Sequence, residues 1–311
     1  VSAGTGLRAR LEAGGFAVTA ELSPPRGAEP GPFLATVAPL RGRVDAVNVT
    51  DNAGASVRMA SWAGSLLAAQ AGVEPVMQFT CRDRNRLALQ SDLLAAAAMG
   101  IPNVLLMTGD HPKAGDHPDA MPVFDLDSVQ LLRAAKAMRD EGRLMSGRAL
   151  SNRPGWLLGA VENPFGRPAG FRAARLAEKA AAGAEFAQTQ FVFDVPAFAR
   201  WMAEVRDLGL DRRCRILAGV GPVRSLRALA RLRAGLPGLH IPGEVDRRLR
   251  AVPAGRVAEE GLRICVEVIE QVREIPGVSG VHVMAPGHER GIPGILERAG
   301  LAPALGGHRA H

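Results

Sequence analysis

The sequence predicts an α/β fold, a single (β/α)8 TIM barrel, and three observations carry that expectation. Short apolar, β-rich runs alternate with helical stretches eight times along 311 residues. Each run is nearly continuous in apolar residues, as the strands of a parallel sheet buried on both faces must be. The first run leads into Glu21-Leu22-Ser23-Pro24-Pro25, where a doubly wound open sheet would usually offer a glycine-rich turn. Eight is also the number of strands that closes a barrel.

The elements follow in order. The first strand is Ala17-Val18-Thr19-Ala20-Glu21-Leu22, stopped by the two prolines, with a helix over 33–40. The second strand covers 44–50, and its helix is expected from about Ser56, with Trp62, Leu66 and Leu67 on one side and Gly72 at its end. Strand three is Pro75-Val76-Met77-Gln78-Phe79-Thr80. Its helix starts near Asn85, turns Leu89, Leu93 and Ala97 inward, and closes at Gly100 and Pro102. Strand four, 103–107, opens into a long polar loop before a helix over 128–140. Strand five (155–161) precedes a helix over 169–182, strand six (186–191) one over 195–208, and strand seven (214–218) one over 225–234. An extra segment covers 241–252. An amphipathic helix follows, with Leu262, Cys265, Ile269 and Val272 at helical spacing. Strand eight is 278–284 and the last helix 292–299. One domain spans 1–311, with about 1–15 and 303–311 peripheral and the tail from Pro303 loose.

Composition narrows the function classes. The net charge of +7 invites a nucleic-acid reading, but the basic residues are almost all Arg, spread along the chain, and aromatics make up 4%. A nucleic-acid binder clusters its charge and supplies aromatic stacking surfaces, so no nucleic-acid partner is expected. No run approaches the ~18 uncharged apolar residues that span a bilayer, and residues 1–11 lack an apolar signal core. A cytoplasmic protein without membrane contact is expected. The cysteines, Cys81, Cys214 and Cys265, contain no Cys-x-x-Cys pair, against both a disulfide framework and a structural zinc site. Two Asp-His-Pro segments, at 110–112 and 116–118, share one Pro/Gly-rich loop without further ligands. They read as turn residues, and no metal is expected. Cys81 reads as a small buried residue, and His282 as a hydrogen-bonded core histidine.

Barrels carry their chemistry at the C-terminal ends of the strands. Here those ends hold Glu21, Thr50-Asp51-Asn52, Gln78 to Asp83, Thr108-Gly109-Asp110, Glu162-Asn163, Gln190 and the stretch from Met284 to His288. Glu21 is the most informative, a carboxyl inside an apolar strand just before a rigid exit. Partial burial is expected to raise its pKa, which suits a general acid near neutral pH; an ion pair or simple solvation at the rim is the alternative. Gly109 admits close approach to the backbone. Asp110 can accept from ring N–H groups, or else caps its own turn.

These residues resemble those of a known family. Ala20-Glu21-Leu22-Ser23-Pro24-Pro25, Val49-Thr50-Asp51-Asn52, Thr80-Cys81-Arg82-Asp83-Arg84-Asn85, Thr108-Gly109-Asp110 and Thr189-Gln190-Phe191-Val192-Phe193-Asp194 are similar, in order and spacing, to motifs of methylenetetrahydrofolate reductases. Stretches 49–53, 81–91 and 123–128 look closest to acetogen-type reductases and to reductase modules fused to homocysteine methyltransferases. The resemblance implies reduction of 5,10-methylenetetrahydrofolate to 5-methyltetrahydrofolate by NADH or NADPH through FAD, with FMN or a flavin-free site as alternatives, in one-carbon metabolism and methionine synthesis. By matching position, Glu21 and Asp110 are catalytic, Glu21 protonating N10 of the folate and Asp110 holding the pterin. Thr50, Asp51, Gln78, Thr108, Gly109, Asp110, Phe124, Asp125, Asn163, Arg175 and Lys179 fall at flavin-contacting positions. Arg175 and Lys179, a helical turn apart, read as phosphate binders. Glu21, Asp110, Gln190 and His288 are implied to touch the substrate. Gln78 and Asn163 stand where many relatives have His, and Arg175 where they have Asn. Folate and nicotinamide are the implied ligands, with a homo-oligomer or a one-carbon enzyme as macromolecular partner. Two other readings are a non-catalytic assembly subunit and a flavin-free pterin barrel that transfers methyl groups.

Overall fold

Eight parallel strands close on themselves in sequence order in the computed structural model, which describes residues 6–168, 170–236 and 238–301. They are β1 (Ala17–Leu22), β2 (Ala46–Val49), β3 (Pro75–Thr80), β4 (Asn103–Met107), β5 (Leu157–Glu162), β6 (Phe186–Phe191), β7 (Arg215–Val220) and β8 (Val278–Val283). Closure is made by β1, which pairs with β2 through Ala20↔Val47 and with β8 through Ala20↔Val283. The (β/α)8 barrel expected from the alternation is therefore the observed fold. The loose tail proposed from Pro303 lies outside the described residues.

Helices cover the outside: α1 (Leu7–Glu12), α2 (Gly31–Val37), α3 (Ser61–Gln70), α4 (Arg86–Ala98), α5 (Ser128–Lys136), α6 (Arg172–Ala182), α7 (Val195–Asp207), α8 (Leu226–Gly235), α9 (Gly243–Ala251), α10 (Val257–Arg273) and α11 (Ile292–Arg298). Several begin at side chains that accept from the free N–H groups of the first turn: Asn85 for α4, Asp127 for α5, Asp194 for α7 and Ser225 for α8. Among the described residues, no helix is long and apolar enough to cross a membrane.

Two expectations are corrected. The helix after β2 begins at Ser61, because Asn52 and Ala55 adopt positive φ in the preceding loop and Asp116 caps Val57 N–H. Its barrel-facing side is the small one, Ser61, Gly64, Ser65 and Ala68. A Cβ at Gly64 would sit 2.8 Å from Val49, so only a small surface fits against β2 there. Trp62 is exposed instead, and Leu66 and Leu67 are half-buried with it along an apolar surface cleft.

The second correction concerns the stretch from 1 to 15, which is not peripheral where the structure describes it. Leu7 and Leu11 of α1 are buried against Ala17, Ala46, Val76, Leu105, Leu157, Phe186 and Leu217, and so plug the N-terminal end of the barrel. Glu74 fixes the plug by accepting from Leu7 N–H (2.9 Å) and from Asn103 Nδ2 (2.8 Å).

Strand side chains alternate between the two faces. Val18, Ala20, Leu22, Val47 and Val49 pack outward into the main core under the helices. The inward set is apolar only at the bottom. One step up, Asn48 and Gln188 bridge opposite strands through two amide bonds of 2.6 and 3.0 Å, and Gln188 also donates to Thr19 Oγ1 at 3.1 Å. A second step up lie Glu21 and Gln78, at the mouth.

Candidate active site

Glu21 occupies the mouth because it is two residues above Thr19 and four above Ala17 on the same inward face of β1. Its Oε2 accepts from Gln78 Nε2 at 2.9 Å. His282 Nε2, from β8, lies 3.6 Å from the same oxygen. The other ring nitrogen, Nδ1, is 2.9 Å from Thr19 Oγ1. With Gln188 donating to the Thr19 oxygen, the Thr19 proton can go to His282 Nδ1, which directs an Nε2–H at Glu21. A polar column thus runs from the barrel centre to the carboxyl.

The electrostatics correct the expectation of a raised pKa. Burial pushes the Glu21 carboxyl up, but the neighbouring His282 ring, with the hydrogen bond from Gln78, outweighs it and holds it below the ordinary carboxylate value. Sequence reasoning saw the burial and missed the two donors. The carboxyl keeps 23% side-chain exposure, so it remains open to a ligand at the mouth.

Around the rim, the loops are tied by two arginines. Asp51 is buried, accepts from Thr80 N–H and Oγ1 at 2.9 Å each, and meets Arg84 at 2.8 and 3.2 Å. Arg84 also lies over the Phe79 ring, 4.6 Å from its centroid. Arg82 is buried too; it grips Asp83 and donates to the carbonyls of Asn52 (3.3 Å) and Asp110 (3.4 Å), joining the loops after β2, β3 and β4. Gly109 has φ +91°, and a Cβ there would sit 3.0 Å from Thr80 Cβ, so this turn requires glycine. It presents Asp110 with an exposed carboxylate that has no hydrogen-bonding side-chain partner among the described residues.

The remaining predicted residues divide. Gln190, at the end of β6, accepts Phe191 N–H on its Oε1 at 2.9 Å, and His288, half-buried in the loop after β8, has its pKa lowered by burial and by nearby Arg224. Thr50 is buried, its hydroxyl 3.4 Å from Ser23. Thr108 accepts Ser128 N–H on its hydroxyl. Phe124 has φ +39° and lies against His111, ring centroids 6.3 Å apart. Asp125 is held by three bonds of 2.8 Å from Arg86, whose hydrogen bonds lower its pKa to about 2. The Asn163 side chain accepts from Phe165 N–H within its own turn.

The phosphate-binding reading of Lys179 is corrected by its surroundings. Lys179 is buried, 2.7 Å from Glu162 Oε2 and 2.5 Å from the Val161 carbonyl, while Arg175 pairs with Glu178 at 2.6 Å. The turn-apart spacing is real, but α6 directs Lys179 beneath the end of β5. The implied flavin can be tested on these residues. Asp51, Asp125 and Lys179 spend their polar groups on protein partners, and Gln78 gives its amide N–H to Glu21. The residues present do not fit a flavin dinucleotide.

Sequence reasoning did not single out Thr19 or Asn48, and it named Arg82 and Glu162 only as strand-end residues without a role. A signal existed for the first two: polar residues recur every second position in the strands, at Thr19 and Glu21, Asn48 and Thr50, Gln78 and Thr80, Gln188 and Gln190. His282 is the hydrogen-bonded core histidine expected, with the added role of facing Glu21. Cys81 is buried, its thiol pushed up to about 12 chiefly by that burial, in keeping with a non-nucleophilic residue.

Comparison with known proteins places these observations. The family model described as Methylenetetrahydrofolate reductase matches residues 6–151 and 160–300. A probable methylenetetrahydrofolate reductase (NADPH) of Caenorhabditis elegans is 25% identical over 236 residues, covering 74% of this chain and 33% of that protein. Methylenetetrahydrofolate reductase 2 of Schizosaccharomyces pombe is 24% identical, covering 80% and 39%. Methylenetetrahydrofolate reductase (NADH) 1 of Zea mays is 25% identical, covering 74% and 38%. The chain therefore spans between a third and two fifths of these relatives' length. Among solved structures, an uncharacterized Clostridium thermocellum protein, described as binding two copies of 5-methyl-5,6,7,8-tetrahydrofolic acid, superimposes with a TM-score of 0.65. It shares 11% identity and covers 95% of this chain and 98% of that one. A 2,3-dimethylmalate lyase aligns at TM-score 0.51 and 14% identity over 96% and 85%.

Proposed function

Because the chain belongs to the methylenetetrahydrofolate reductase family, we propose that it reduces 5,10-methylenetetrahydrofolate to 5-methyltetrahydrofolate, with NADH or NADPH as the hydride source. The observation that carries this reading is the Glu21 carboxyl at the barrel mouth, held by His282 and Gln78, with the exposed Asp110 carboxylate on the rim. Curated relatives named as NADPH and NADH forms support the nicotinamide, and the Clostridium thermocellum protein of the same fold, described as binding 5-methyl-5,6,7,8-tetrahydrofolic acid, supports a folate ligand.

In this reading Asp110 accepts from the N–H groups of the pterin ring and sets its orientation. Glu21 supplies the proton that opens the five-membered ring at N10. Its lowered pKa makes the free carboxylate the resting form, so the acid must be made when substrate arrives. A pterin seated on the mouth removes the remaining exposure of Glu21 and strengthens the burial that raises its pKa, so that Glu21 takes up a proton from solvent as the mouth is covered. Gln190 and His288 border the same mouth as substrate contacts.

The test is an anaerobic assay of 5,10-methylenetetrahydrofolate reduction with each nicotinamide in turn. Formation of 5-methyltetrahydrofolate is expected. A protein that binds folate yet oxidises neither nicotinamide would instead favour the methyl-transfer or assembly reading.

A further inference from the structure

The residues at the end of β5 carry an inference that rests on the reductase reading above. The Glu162 carboxylate is 1% exposed. One oxygen lies 2.7 Å from Lys179 Nζ; the other lies 3.6 Å from Arg172 Nη1 and accepts Asn163 N–H at 3.1 Å. A lysine, an arginine and a backbone N–H around one anion is the donor set that a bound phosphate takes. Here the anion is part of the chain.

The surroundings are tight. Arg172 Nη2 donates to the Arg167 carbonyl, and a Cβ on Gly166 would sit 2.7 Å from the Arg172 guanidinium carbon. Gly238, beyond α8, crosses so close to the same turn that a Cβ would sit 2.8 Å from Asn163 Nδ2. A phosphate brought to these cations meets a buried like charge and has to break the buried Lys179–Glu162 pair.

We propose that Glu162 is an internal anion standing where cofactor phosphate would bind, so that this mouth works without a resident flavin and takes its hydride directly from dihydronicotinamide. The step balances without another redox group. Glu21 gives its proton to N10, the bond from N10 to the methylene carbon breaks, and N5 holds that carbon as an iminium. The hydride leaves C4 of NADH or NADPH with its electron pair and forms the third C–H bond of the methyl group. The nicotinamide is oxidised and the methylene carbon reduced by two electrons, and Glu21 recovers a proton from water.

Two measurements on the full chain test this. Equilibrium dialysis against excess FAD and against excess FMN is expected to show no binding, whereas stoichiometric binding of either overturns the proposal. Glu162→Gln, which releases Lys179, is expected to gain affinity for inorganic pyrophosphate by roughly tenfold or more, the worth of one charge-assisted contact. No gain in a folded variant counts against Glu162 as the occupant, and wild-type dialysis decides the matter should the variant not fold. The second measurement supplies NADH or NADPH deuterated at either face of C4, in ordinary water. Direct transfer places one deuterium in the product methyl group from one face only. A reduced flavin would exchange its hydrogen with water, so product without label overturns the direct route. Absence of folate reduction with no flavin bound defeats the reductase reading and with it the hydride route, and leaves the Glu162 assignment supported by dialysis.

Discussion

His282 Nε2 points at Glu21 Oε2 across 3.6 Å, on a ring whose far nitrogen is 2.9 Å from the Thr19 hydroxyl. The carboxyl at the mouth is therefore tuned from inside the barrel and addressed from outside it. Four predictions follow from this and from the scaffold around it.

Glu21→Gln keeps the shape of the side chain and removes its proton. Folate reduction is expected to fall roughly 10²–10⁴-fold, the usual worth of a general acid. Binding of NADH or NADPH, followed by nicotinamide fluorescence, should be unchanged. Equal loss of nicotinamide binding and of turnover would make Glu21 a structural residue.

His282→Leu removes the groups that hold the Glu21 carboxyl below its ordinary value and leaves the burial that raises it. The limb of kcat/KM that falls with rising pH, as the acid loses its proton, should move to higher pH than in the wild type. The linked stability moves the same way. In the wild type, a depressed carboxylate contributes stability above its unfolded value of 4.5, lost as pH falls through the folded value. The variant should lose that acid-side dependence. A pH profile unchanged in shape would remove His282 from the tuning role.

Asp51→Asn addresses the rim. It leaves the guanidinium of Arg84 facing an amide in a buried position, and removal of one member of such a pair costs about 3 kcal/mol. Urea denaturation should show a loss of that order. Since Thr80 hangs on the same carboxylate and Gly109 rests on Thr80, folate affinity should fall with it.

Leu11→Ala tests the plug. Truncating a buried leucine costs about 2–5 kcal/mol, depending on how far the site collapses, and Leu11 lies in the cluster that closes the barrel bottom. A change in thermal unfolding no larger than that of an exposed control such as Leu87→Ala would show that α1 is dispensable.

Much of this molecule was legible beforehand. The strands could be placed because each is a short apolar run with Gly or Pro at its borders, and β6, at 186–191, has the bounds the sequence implied. Glu21 and Asp110 stood out because charge at a strand end is costly unless it is used. Harder to read was anything decided by where a helix turns its side chains. Lys179 sits at a spacing that suits phosphate, yet only the packing of α6 under β5 reveals Glu162 as its partner. Trp62 and Leu66 suggest the inward face of α3 by hydrophobicity, but the tight approach to Val49 selects small residues there. The lowered pKa of Glu21 depends on His282, which is 261 positions away in the chain and two barrel strands meet only on closure.

The leucine plug has a consequence for protons. With Leu7 and Leu11 sealing the bottom, the column from Gln188 through Thr19 to His282 is a blind shaft. Among the described residues, nothing opens it from below. In the proposed reduction a substrate over the mouth would seal the top as well, so that the shaft would hold whatever proton it had at that moment and a spent one would return only after the product departs. Each visit of the substrate would thereby be limited to a single protonation, with reloading timed by product release.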